Sequence, residues 1–87
     1  MSDAIFNRLE SILHLPVLEQ IEARKELSDE EREALSTLSS IRILEGHIKF
    51  YEKQPTKYWQ EAGKQYCEMR IARKKALLRS QLQDLNH

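Results

Sequence analysis

The residues of this chain that could support catalysis or metal binding are three histidines, one cysteine and a set of glutamates. His14, His47 and His87 lie far apart, and the sequence contains no Glu-x-x-His or His-x-x-x-His pair. Such pairs place two metal ligands on one face of a helix in the zinc and di-iron sites of helical proteins. The sequence therefore predicts no metal site and no bound cofactor.

Cys67 has a lysine three residues before it and an arginine three residues after it. A nearby cation favours the thiolate form, which is the nucleophile in cysteine catalysis. The alternative is an inert packing residue, the more common role of a cysteine among apolar neighbours in a helix. The chain lacks a glycine-rich phosphate loop, a serine elbow and a histidine near Cys67 that could act as a base. We therefore expect a protein that is not an enzyme and has no small-molecule substrate.

The last third of the chain carries a segregated positive charge. Residues 57–87 hold seven basic and three acidic groups (net +4), residues 1–27 hold three and five (net −2), and residues 28–56 hold four and six (net −2). Five basic residues form one run without an acid: Arg70, Arg73, Lys74, Lys75 and Arg79. This run predicts contacts with a nucleic acid or an acidic partner. The alternative is that the acidic segments of the same chain neutralise it through surface ion pairs.

Aromatic residues and lysines alternate around Pro55. The aromatic residues are Tyr51, Tyr58, Trp59 and Tyr66, and the lysines are Lys49, Lys53, Lys57 and Lys64. Rings beside lysines can stack on bases and pair with phosphates, as in proteins that bind single strands. We favour a packing role, because the helical period places Tyr51, Trp59 and Tyr66 on apolar stripes. Only Tyr58 is expected to be exposed.

These side chains must be positioned by helices, because two glycines, two prolines and the absence of alternating β-branched residues leave no strand signal. The first helix is capped by Ser2 or Asp3 and ends near Pro16. A second, short helix from Pro16 to Glu26 is expected to bury Val17, Leu18 and Ile21, unless residues 2–26 form one kinked helix. The apolar positions of the first helix are Ile5, Phe6, Leu9, Ile12 and Leu13.

Two longer helices follow. Ser28 and Glu31 form a capping box, in which each side chain accepts a hydrogen bond from the backbone of the other, so a helix begins there and runs to about Lys53. Its apolar face contains Ala34, Leu38, Ile41, Leu44, Ile48 and Tyr51. Pro55 interrupts the pattern and Thr56 caps the final helix, which spans residues 57–85.

The final helix has two apolar faces roughly 150° apart at 100° per residue. The first contains Trp59, Ala62, Tyr66, Met69, Ala72 and Ala76, and is expected to pack on the preceding long helix. The second contains Cys67, Ile71, Leu78, Leu82 and Leu85, and is expected to be the protein interface. About 29 residues span about 43 Å, more than the roughly 31 Å diameter of a compact chain this size, so this second face would overhang the bundle and need a partner. The alternative is that the first helix folds back and covers it.

The predicted fold is all-α, a single domain that forms a small antiparallel bundle of three to four helices with a long C-terminal helix. The predicted function is a small interaction protein, an adaptor, inhibitor or regulatory subunit, that forms a homodimer or docks on a larger protein through that helix. The alternative is a nucleic-acid-associated regulator that binds DNA or RNA through Arg70–Arg79. We find neither a signal peptide nor an apolar run of about 18 residues, so we expect no membrane contact and a cytoplasmic location.

Overall fold

The chain folds into four α-helices in a computed structural model that describes the backbone of residues 2–86 and the side chains of residues 4–86. The helices are α1 (Ser2–Leu13), α2 (Val17–Lys25), α3 (Asp29–Glu52) and α4 (Lys57–Leu85). This arrangement confirms the predicted all-α class and the long last helix, and it resolves residues 2–26 into two helices. The predicted cap by Ser2 or Asp3 concerns side chains outside those described.

The start of α3 is held by the predicted capping box. The backbone N–H of Glu31 donates to the Ser28 hydroxyl over 3.1 Å, and the N–H of Ser28 donates to the Glu31 carboxylate over 2.9 Å. These two bonds satisfy two of the N–H groups that a helix start leaves without partners. At the start of α4, Thr56 caps in the simpler way, accepting from the N–H of Trp59 over 3.4 Å. Both helix starts lie where the sequence predicts them.

The core forms mainly between α3 and α4, which are joined by a short turn and pack against each other along their length. The predicted face of α3 is confirmed, since Leu38 and Ile41 are almost fully buried and Tyr51 packs on the edge of the core. α1 completes the core with Leu9 and Ile12. The core residues are Leu9, Ile12, Leu27, Ala34, Leu35, Leu38, Ile41, Leu44, Cys67, Ile71, Leu78 and Leu82.

The two apolar faces of α4 have the opposite roles from those predicted. Cys67, Ile71, Leu78 and Leu82 are buried inside the chain, and Leu85 packs on the same core, so the prediction of an open interface there is wrong. The physical reason is that α4 turns this stripe toward α3, and α1 also folds back over the C-terminal half of α4, which was the alternative considered from sequence. The residues predicted to contact α3 are instead exposed: Trp59, Ala62, Tyr66, Met69, Ala72 and Ala76.

The contacts of α1 also determine which end of the hairpin projects. Two ion pairs fix α1 on α3, from Arg8 to Glu31 at 3.0 Å and from Arg42 to Glu10 at 2.7 Å. On α3, these ion pairs and the clefts beside α1 involve residues up to Ile43. On α4, the clefts beside α1 involve residues from Lys75 onward. Among the described residues, the end near Pro55 therefore consists of α3 and α4, and it is this end that projects rather than the predicted C-terminal end.

The short helix α2 also differs from expectation. Val17, Leu18 and Ile21 are exposed, and α2 has no buried residue. Its ends are anchored by polar contacts: Gln20 donates to the carbonyl of Leu15 over 2.9 Å, and Arg32 donates to the carbonyl of Arg24 over 2.8 Å. Ala23 is partly buried and packs against the core, and the next fully buried residue is Leu27. The apolar residues Val17, Leu18 and Ile21 therefore do not indicate which side of α2 faces the core.

At the projecting end, α3 and α4 approach closely over Gly63. The Tyr51 ring occupies the space where a β-carbon of residue 63 would lie, so the two overlap if one is added. Gly63 is buried, whereas Gly46 is exposed and a β-carbon there would meet nothing within 4 Å. Gly63 is therefore needed for the close packing of α3 and α4, whereas Gly46 only reduces the stability of its helix.

We expect Gly63→Ala to lower the free energy of unfolding by roughly 1–3 kcal/mol, because the added methyl overpacks the Tyr51 contact. Gly46→Ala is the matched control and should raise stability by about 0.5–1 kcal/mol through helix propensity. Urea unfolding followed by circular dichroism measures both. Equal stabilisation by the two substitutions would contradict the described packing.

The capping box also predicts a pH dependence of stability. The hydrogen bond from the Ser28 N–H, together with the Ser28 hydroxyl and nearby Arg8, lowers the pKa of Glu31 below its ordinary value of 4.5 despite partial burial. A carboxylate with a lowered folded-state pKa stabilises the protein above the unfolded pKa, and this stabilisation is lost as pH falls through the folded pKa.

The stability lost by Glu31→Gln should therefore be largest above about pH 4.5 and should shrink as pH falls below it. Unfolding free energies measured across that range, with Glu30→Gln outside the capping box as the control, provide the test. A stability difference for Glu31→Gln that does not change with pH would show that the carboxylate charge has no part in the cap.

Candidate functional site

The basic run of α4 divides between two sides of the helix. Arg70, Arg73 and Lys74 line clefts beside Tyr66. Lys75 and Arg79 instead border a cleft on the side that faces α1. The buried stripe that contacts α3 separates these two groups. The five residues predicted as one contact segment are therefore two sets of positive charges that face different surroundings.

These five positive charges are not neutralised within the described part of the chain. None of the five lies within 4.0 Å of a carboxylate whose side chain is described. The acidic groups of the first two segments pair elsewhere, for example Glu10 with Arg42 and Glu31 with Arg8. The described side chains therefore do not form the alternative arrangement, in which the acidic half of the chain pairs with the basic segment.

Large aromatic and apolar side chains share one side of α4 with the first set of charges. Trp59 is 58% exposed, Tyr66 is 51% exposed and Met69 is 48% exposed. The prediction that Trp59 and Tyr66 pack internally is wrong, because α4 turns its Gly63 and Cys67 side toward α3 and the rings point away. Tyr58 is 72% exposed, as predicted.

We refer to this surface as the aromatic–basic face and define it by Trp59, Tyr66, Met69, Arg70, Arg73 and Lys74. Within it, one Arg70 guanidinium nitrogen donates to the Tyr66 hydroxyl over 2.9 Å, and the guanidinium carbon lies 5.7 Å from the centroid of the same ring. This cation–π contact fixes the orientation of both side chains. The face therefore presents a partly ordered surface rather than independent side chains.

A groove runs between the aromatic–basic face and α3. Its α3 side is formed by Ser40, Ile43, Leu44 and His47, which with Tyr66, Arg70 and Lys74 enclose about 390 Å³. Ile43 is more than half exposed, so the groove has an accessible aliphatic wall opposite the cations. An apolar side chain and an acidic group can enter such a groove together.

A second charged cluster joins α1 to α3 and serves packing. Arg42 donates to Glu10 over 2.7 Å and to Glu45 over 2.8 Å. The hydrogen bond from Arg42 lowers the pKa of Glu10, helped by the charges of Arg42 and His14, although burial opposes the shift. The same bonds to Glu10 and Glu45 raise the pKa of Arg42. The Arg42–Glu10 hydrogen bond joins α1 to α3, whereas Glu45 lies on α3 together with Arg42.

The candidate chemical residues remain separate in the structure. Among residues whose side chains are described, no three His, Cys, Asp or Glu side chains come together in a way that could hold a metal ion. Cys67 is 1% exposed and belongs to the core. His87 lies outside the described residues. None of the helices described is long and apolar enough to cross a membrane.

Sequence reasoning overlooked two exposed apolar features. Ile43 and Phe50 lie on the outer side of α3, and the helical period that predicted the core of α3 already placed them off that stripe. The exposed triplet of α2 has no comparable signal, because a helix of nine residues is too short for its periodicity to indicate a buried side.

Comparison of the chain with protein-family models, with curated proteins and with solved structures finds no match. The surface itself is therefore the basis of any functional proposal.

The burial of Cys67 can be tested by its rate of reaction with a thiol reagent such as DTNB. We expect Cys67 to react only as fast as the protein unfolds, because the native thiol is shielded. Ala72→Cys adds an exposed thiol on the same helix and serves as an internal control. That variant should show one fast and one slow thiol. Two fast thiols in the native protein would mean that the Cys67 stripe is accessible after all.

Proposed function

We propose that this protein is a non-enzymatic binding module that docks on an acidic surface of a larger protein through the aromatic–basic face of α4. One observation carries the proposal: exposed large side chains and cations without described carboxylate partners share the same side of one helix. Trp, Tyr, Met and Arg are the residues enriched at protein interfaces. Uncompensated arginines beside them favour a partner of opposite charge.

The groove beside the face supports a protein partner over other classes. Ile43 and Leu44 provide an aliphatic wall, and Tyr66 forms the opposite side. An amphipathic acidic helix could place an apolar residue in the groove and its carboxylates against Arg70 and Lys74. The binding energy in this proposal comes mainly from the central aromatic and arginine side chains, with the outer cations determining orientation and association rate.

The proposal differs from the sequence-based hypothesis in one respect. Of the residues predicted for docking or self-association, Cys67, Ile71, Leu78 and Leu82 are buried and Leu85 is partly buried, so the docking surface moves to the other side of the same helix. The C-terminal helix remains the interaction element. A homodimer through the buried stripe is no longer proposed.

A nucleic acid is the second candidate partner, and the exposure of the rings near Pro55 favours it. Tyr58 and Trp59 are both exposed and pack edge to face, with ring centroids 5.3 Å apart. Lys49, Lys53 and Lys57 lie nearby in the sequence and are exposed. Rings and lysines in this arrangement can bind single strands. The zero net charge of the chain favours the protein partner, because nucleic-acid-binding domains usually carry a positive excess.

The protein-docking proposal can be tested by a pull-down experiment. The wild-type protein and two charge-reversed variants are immobilised and incubated with extracts of the source cells. Arg70→Glu/Arg73→Glu should lose the bound partner, with affinity reduced at least about tenfold, because central interface residues often contribute more than 1 kcal/mol each. Lys49→Glu/Lys53→Glu changes charge equally outside the face and should retain the partner. An equal loss of the partner in both variants, or no loss in either variant, would contradict docking through this face.

Treatment of the same extract with nuclease separates the two candidate functions. A protein partner should remain bound after the treatment. Binding that disappears with nuclease, together with titration of a labelled single strand whose affinity falls steeply with salt, would instead support the nucleic-acid function.

A further inference from the structure

The second set of basic residues, Lys75 and Arg79, borders a cleft that the docking proposal does not use. This cleft lies between α1, α3 and α4 and encloses about 350 Å³. Its walls are formed by Phe6 of α1 and by apolar core residues of the other two helices. The residues that line it are Phe6, Leu38, Ile41, Arg42, Lys75, Leu78, Arg79 and Leu82.

The floor of the cleft is apolar throughout. Leu38, Ile41, Leu78 and Leu82 are buried, and Phe6 is half-buried at the side. The cleft volume lies near the lower end of the roughly 300–1,000 Å³ found for small-molecule sites. A floor of this kind favours an alkyl chain, because its leucine and isoleucine side chains have no hydrogen-bonding group.

The rim of the cleft is positively charged on one side. Arg42 is neutralised by its hydrogen bonds to Glu10 and Glu45. Lys75 and Arg79 have no carboxylate within 4.0 Å among the described side chains, although Glu45 and Glu68 share a neighbouring cleft with Lys75. Two exposed cations therefore stand at the opening of an apolar cleft, where they can bind an anionic group at the end of an apolar chain.

We propose that this cleft binds an amphipathic anion, specifically a medium-chain fatty acid. The alkyl chain lies over Phe6, Leu38 and Leu82, and the carboxylate contacts Lys75 and Arg79. The proposal assigns the two halves of the basic run different partners, since Arg70 and Arg73 lie on the other side of α4. It is independent of the docking proposal, because it uses none of the residues of the aromatic–basic face.

The test is calorimetric titration of the folded full-length protein with decanoate, below the concentration at which decanoate forms micelles. We expect saturable binding, and a roughly three- to fourfold gain in affinity for each CH₂ group added from octanoate to decanoate. Decan-1-ol has the same chain without the charge and should bind at least about fivefold more weakly. Absence of saturable binding, or equal affinity for the alcohol, would overturn the proposal.

Two matched double variants locate the site. Lys75→Gln/Arg79→Gln should weaken decanoate binding at least about fivefold, because it removes both cations from the rim. Arg73→Gln/Lys74→Gln removes the same charge from the opposite side of α4 and should leave the affinity unchanged. Equal weakening in the two variants would mean that decanoate responds only to overall charge, which overturns the assignment to this cleft.

Amide chemical shifts recorded with decanoate provide an independent location for the ligand. They should change around Phe6, Leu38 and Leu82, and not around Ile43 and Tyr66 across the molecule. Changes confined to the groove beside Tyr66 would overturn the assignment. Circular dichroism of each variant confirms that it is folded, which is expected because none of the four substituted residues is buried.

Discussion

The apolar contact between α3 and α4 determines the position of every other element. α1 reaches the core by packing Leu9 and Ile12 onto these two helices, and α2 contributes no buried residue. Burying a leucine or isoleucine side chain stabilises a fold by roughly 1.5–3 kcal/mol, so the stripe of such residues is the main source of stability. The hydrogen bonds of the Ser28–Glu31 capping box determine where α3 begins rather than whether the helices associate.

This arrangement explains which parts of the structure the sequence predicts. Helix ends are determined by local chemistry, so Ser28, Pro55 and Thr56 indicated the bounds of α3 and α4 almost to the residue. The buried face of α3 was also predictable, because one stripe of apolar residues repeats along it. The buried side of α4 was not, since two stripes of comparable length compete and only the tertiary packing against α3 and α1 decides between them.

The candidate site was predictable to a similar extent. The run from Arg70 to Arg79 stood out by composition, but its division into two sides depends on which stripe of α4 is buried. Choosing the wrong stripe exchanged the inside and outside of the helix, so Trp59 and Tyr66 were placed in the core and Ile71 and Leu78 at the surface. The packing of the Cys67–Leu82 stripe on α3, with α1 over its C-terminal half, corrects all of these assignments together.

The absence of buried residues in α2 has a consequence for motion. A helix of nine residues is marginal in water without packing, and α2 is attached mainly through hydrogen bonds at its two ends. Its opening exposes no fully buried residue, only the partly buried Ala23, so little apolar burial opposes local unfolding. Amide hydrogens of Val17–Lys25 should consequently exchange with solvent through local fluctuations. Those around Leu38 should exchange only when the whole bundle unfolds. The segment between Pro16 and Leu27 thus tolerates changes of conformation that the remainder of the chain does not.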